Sequence, residues 1–78
     1  MMNTTEGILY TSNSYRVEAN SAGVEVTNMH TGYTEWFEGE AATDVRDALA
    51  IIPARVPNAK VTKATDAYLS TLEGKGRK

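Results

Sequence analysis

The sequence predicts an α+β domain: a three-stranded antiparallel meander covered on one face by two C-terminal helices. Three observations predict it. Apolar and polar residues alternate with a period of two from Ser14 to Glu38. Glycine-containing turns divide that stretch twice, and beyond Gly39 the apolar residues recur at spacings of three and four.

Met1–Gly7 is polar and without period, so a loose lead-in is expected before Ile8–Tyr10, the first ordered residues. Whether these three add a short extra N-terminal strand is open at this level. From Ser14, Tyr15, Val17 and Ala19 alternate with Arg16 and Glu18, and a second run sets Val24 and Val26 against Glu25 and Thr27. Between them, Asn20-Ser21-Ala22-Gly23 has the composition of a tight turn in which Gly23 can take positive φ. The connection Asn28–Gly32 repeats the design and leads into a third run, Tyr33–Glu38, rich in aromatic residues.

Gly39 ends the sheet. Ala41, Val45, Ala48, Leu49 and Ile52 form one stripe of a helix over 40–52, and Glu40 and Asp44 suit its positive N-terminal end. Pro53 and Pro57 should bound a linker, stopping the helix near Ile52. A second helix over 60–72 is expected, with Asn58 as N-cap, Val61, Ala64, Tyr68, Leu69 and Leu72 on one side, and Gly74 just beyond its end. Residues 75–78 form a short basic tail, expected to be solvated. A three-stranded sheet is barely stable uncovered, so the helices should pack on one face and leave the other to solvent.

Composition narrows the function. A chain of 78 residues buries only roughly 60–65% of its unfolded surface, which allows one thin core and no deep cleft. With 41% apolar and 23% charged residues it is of ordinary globular composition, and the absence of cysteine leaves stability to packing alone. No leader-like segment opens the chain, and the longest apolar run, Ala48–Ile52, is too short for a membrane span; a cytoplasmic protein is expected.

Charge is uneven. Residues 1–40 carry Glu6, Glu18, Glu25, Glu35, Glu38 and Glu40 against Arg16, a balance of −5, whereas residues 41–78 carry seven bases against four acids, a balance of +3. His30, alone of its kind and placed in a turn, reads as a solvated residue, since neither a second histidine nor a cysteine accompanies it. No glycine-rich phosphate loop is present, and paired carboxylates lack an enclosing cleft. No enzyme activity and no cofactor are expected.

The sheet faces are more informative. A two-residue first turn pairs Val17 with Val26 and Ala19 with Val24, which sets Glu18 opposite Glu25; like charges in that arrangement require an exposed face. With a four-residue second loop Tyr33 and Phe37 turn inward and Trp36 emerges beside Glu18, Glu25 and Glu38; a one-residue change swaps them. An exposed aromatic side chain among acids has the make-up of a protein-binding hot spot, so Glu18, Glu25, Glu35, Trp36 and Glu38 are the candidate contact surface. The plainer alternative is a half-buried Trp36 with glutamates that keep the sheet soluble.

In layout, the meander over 14–38 followed by helices over 40–52 and 60–72 in a small cysteine-free chain resembles the anti-CRISPR proteins of phages. The resemblance implies a stoichiometric inhibitor, monomeric or weakly dimeric, that binds a type I CRISPR surveillance complex in the host cytoplasm and blocks DNA recruitment. The sheet glutamates would suit a basic DNA-binding surface. The seven bases of the C-terminal half depart from a pure charge mimic of DNA. Two other readings stand beside it: a nucleic-acid-associated accessory protein using Lys60, Lys63 and the basic tail, and a self-assembling structural phage protein.

Overall fold

In the computed structural model, which describes residues 6–77, the chain forms a four-stranded antiparallel sheet in the order β1 (Gly7–Thr11), β2 (Tyr15–Asn20), β3 (Gly23–Asn28) and β4 (Thr34–Phe37). Helix α1 (Gly39–Arg55) follows, then a single 3₁₀ turn over Asn58–Lys60 that leads directly into α2 (Val61–Ser70). The expected lead-in at residues 1–5 lies outside the described residues. Ile8–Tyr10 do belong to a fourth strand.

Register follows the alternation. Val17 faces Val26, Glu18 faces Glu25 and Ala19 faces Val24, while Val24 faces Phe37 and Glu25 faces Trp36. Tyr15, Val17, Ala19, Val24, Val26 and Phe37 therefore share one face, where they form a single buried cluster with Ala42, Val45 and Leu69. A bulge between Ile8 and Tyr10 turns both Leu9 and Tyr10 toward that cluster and leaves Ile8 on the far side, 55% exposed.

The β2–β3 and β3–β4 turns are each closed by an asparagine. The Asn20 Oδ1 accepts from the N–H groups of Ala22 and Gly23, and the Asn28 Oδ1 from those of His30 and Thr31. Gly32 has φ +77° as the second turn demands, but Gly23 does not adopt positive φ. Its role is space: a Cβ there would lie 2.3 Å from the Phe37 carbonyl oxygen and 2.8 Å from the Trp36 ring.

The helices depart from expectation at their ends. α1 runs three residues beyond Ile52, through Pro53, because an exposed proline in the last turn removes one hydrogen bond only; the Val56 N–H still reaches the Ile52 carbonyl at 3.1 Å. Val56 is extended before Pro57, and there the helix stops. On α1 the buried residues are Ala42 and Val45, with Ala41 exposed. Asn58 makes no side-chain cap; it opens the 3₁₀ turn, in which Lys60 N–H donates to the Pro57 carbonyl at 2.8 Å. α2 ends at Ser70, two residues early, as Thr71 and Leu72 tighten to bonds with the carbonyls three residues back.

Carboxylates tie this C-terminal part to the sheet. Asp66 on α2 accepts from the hydroxyls of Tyr10 at 2.7 Å and Ser12 at 2.9 Å, and Glu73 accepts from Tyr15 at 2.5 Å and from Asn28 Nδ2 at 2.9 Å. The tail expected to be solvated is bound as well. Gly74, at φ +88°, turns the chain back, and Trp36 and Arg77 pair like ladder residues, with N···O distances of 2.6 and 2.8 Å. Lys78 lies outside the described residues.

Candidate functional site

The outer face of the sheet, away from the helices, carries the predicted site. Because side chains alternate along each strand, Arg16 and Glu18 of β2, Glu25 and Thr27 of β3, and Thr34 and Trp36 of β4 all emerge there. Glu38 follows with the same parity. Trp36 is thus the outward aromatic residue, half-buried among acids, as a four-residue second loop predicts.

Its ring is held by two contacts. The indole Nε1–H donates to Glu38 Oε2 at 2.7 Å, and the ring lies over Gly23, whose missing side chain makes the room. Trp36, Glu18, Glu25, Ala19 and Asn20 enclose an open hollow of about 310 Å³. Arg16 reaches Glu18 at 3.5 Å and Arg77 reaches Glu38 at 3.7 Å, both partly exposed pairs of small energetic weight. Glu25 makes no ion pair among the described residues.

Glu35 is not part of this surface. The parity that turns Phe37 inward turns Glu35 inward too, and it is 3% exposed. A buried carboxylate needs donors, and it finds them in the tail: Gly74 N–H lies 2.9 Å from both of its oxygens, and Gly76 N–H 2.9 Å from Oε2. Glu35 is a clamp for residues 74–76, not a contact residue. Of the five predicted residues, Glu18, Glu25, Trp36 and Glu38 come together and Glu35 is withdrawn.

Two residues at this face escaped the sequence reading. Ile8 stands opposite Glu18 because of the β1 bulge, and Arg77 stands beside Trp36 because Glu35 holds the tail; neither contact leaves a local sequence signal.

Among the described residues, Lys60 and Lys63 do not share a hollow with Lys75 and Arg77. Arg77 lies with Trp36 and Glu38 at the sheet, whereas Lys60 and Lys63 line a separate, mostly apolar hollow of about 380 Å³ with Val56, Ala64 and Ala67. His30 sits in its turn with Nε2 3.2 Å from the Ser14 hydroxyl. Among the described residues, no three histidine, cysteine or acidic side chains are arranged to hold a metal ion, and no helix is long and apolar enough to cross a membrane. No protein-family model, curated protein or solved structure matches this chain.

Proposed function

We propose that this chain is a small non-enzymatic binding module that docks its outer sheet face, through Glu18, Glu25, Trp36 and Glu38, onto a basic surface of a protein partner. The observation that carries the reading is the Glu18–Glu25 ladder pair beside Trp36. Two like charges directly opposite one another weaken the sheet they belong to, and a basic partner removes that repulsion. The neighbouring indole, immobilised by Glu38 and Gly23, has the features of an anchor: aromatic, rigid and rimmed by polar groups.

In its sharpest form, which the resemblance to anti-CRISPR proteins suggests, the partner is a type I CRISPR surveillance complex in the cytoplasm of a phage host, and the acidic face occupies a surface that otherwise receives DNA. Charge complementarity supports this version through steered association. The separation of Arg77 from Lys60 and Lys63 weighs against the nucleic-acid reading, which needs a continuous basic surface.

The test is capture from bacterial lysate with the tagged chain as bait, the Glu18→Lys/Glu25→Lys double variant alongside and mass spectrometry as the readout. A nucleic-acid-binding protein held by the native chain and released by the variant is the expected result. Capture of the same protein by both chains would sink the reading. Recovery of nucleic acid alone would move the working surface to Lys60 and Lys63, and a concentration-dependent oligomer with no partner would favour self-assembly.

A further inference from the structure

A single row of ladder partners crosses the outer face from edge to edge: Ile8, Glu18, Glu25, Trp36 and Arg77, each opposite the next. At one end of the row the chain supplies its own guanidinium. The Arg77 backbone pairs with Trp36, its Nη1 lies 3.7 Å from Glu38 Oε1, and the other oxygen of the same carboxylate accepts the Trp36 indole N–H at 2.7 Å. Glu38, which accepts the Trp36 indole N–H, thus already faces an arginine.

Across the row from Arg77, Trp36 borders the hollow of about 310 Å³ that it shares with Glu18, Glu25, Ala19 and Asn20. This place repeats the chemistry of the first, an indole next to carboxylate, with a second carboxylate added and with Glu25 lacking any cation among the described residues. We propose that the hollow is an arginine subsite, in which a partner's guanidinium packs against Trp36 and bridges Glu18 and Glu25. The proposal rests on the docking face inferred above and names what that face reads. Charge complementarity argues for the occupant, and Arg77 beside Glu38 is a parallel to it within the chain, outside the hollow.

Guanidinium suits the place better than ammonium. Two adjacent carboxylates match a planar fork of N–H donors, and an indole favours a flat, weakly hydrated cation that can stack. Lysine would bring a compact, strongly hydrated charge that meets one carboxylate at a time. A bridging cation also adds to Arg16, 3.5 Å from Glu18, in offsetting the repulsion within the Glu18–Glu25 pair. Gly23 belongs to the subsite indirectly, because a side chain there would lift the ring from its seat.

Trp36 is the sole tryptophan of the chain, so its fluorescence reports the subsite directly. Capped Arg-Gly-Arg-Gly-Arg and Lys-Gly-Lys-Gly-Lys peptides, equal in charge, are titrated at low salt into the full chain and its Glu25→Gln and Glu18→Gln variants. The arginine peptide is expected to give a saturable change at about threefold lower concentration or less, and each variant to weaken it by a similar factor. Both variants relieve repulsion, so an undiminished urea midpoint shows that they fold. Equal affinity for the two peptides, or no saturable change, overturns the arginine subsite while leaving the docking face standing. Partner capture that survives Glu18→Lys/Glu25→Lys overturns the docking face and this proposal with it.

Discussion

Tyr15 and Glu73 show what one contact contributes at the residue scale. The Tyr15 hydroxyl first, and then the Asn28 amide, hold the Glu73 carboxyl below its ordinary value of 4.5. Burial, followed by the Glu73 hydrogen bond and charge, pushes the Tyr15 phenol from 10.0 up to about 12. A carboxyl lowered by folding stabilises the fold fully above 4.5 and loses that contribution as pH falls through the lowered value. A phenol raised by folding contributes fully below 10.0 and loses its contribution as pH rises through about 12. Urea midpoints measured against pH should therefore flatten on the acid side, and in part on the alkaline side, in Glu73→Gln, and on both sides in Tyr15→Phe. Gly23 is a second case. Gly23→Ala places a methyl group against the Phe37 carbonyl and the Trp36 ring, and a cost of about 1–3 kcal/mol in denaturant unfolding is expected. Gly32→Ala meets no atom within 4 Å, so its cost is that of positive φ alone, about 1 kcal/mol.

At the scale of elements, the segment after α2 is a strap whose attachment depends on Glu35 more than on its own charges. Gly74 and Gly76 both donate to that carboxylate, and Gly76 passes so close to the Phe37 ring that a Cβ would lie 2.8 Å from it. Glu35→Ala leaves two N–H groups without an acceptor and should cost about 3 kcal/mol in urea unfolding. Arg77→Ala removes only a solvent-screened ion pair and should cost less than about 1 kcal/mol. A reversed order of the two losses would show that the strap is held electrostatically from its tip. The same segment covers the outer edge of β4, which otherwise presents unpaired backbone groups to other chains.

For the molecule as a whole, stability and docking oppose each other at one position. Glu25→Lys converts a like-charged ladder pair into an opposite-charged one and should raise the unfolding free energy measured in urea by some tenths of a kcal/mol. The same change should abolish partner capture, and a variant that gains stability while losing capture separates the docking face from the fold. The order of the meander strands and helices, the register of the β2–β3 hairpin and the outward pairing of Glu18 with Glu25 were legible in the sequence because they rest on local periods, two for strands and 3.6 for helices, and on short turns that carry register across. The side taken by Trp36 was legible only conditionally, since it depends on one residue of loop length. Glu35 was misplaced because a glutamate among glutamates reads as surface, and its buried acceptors meet donors 39 and 41 residues away. The bulge that leaves Ile8 outside and the seat of Arg77 beside Trp36 likewise belong to the tertiary structure. Each is decided by which distant backbone or side chain fills a given space, and no window along the chain contains both halves of such a contact.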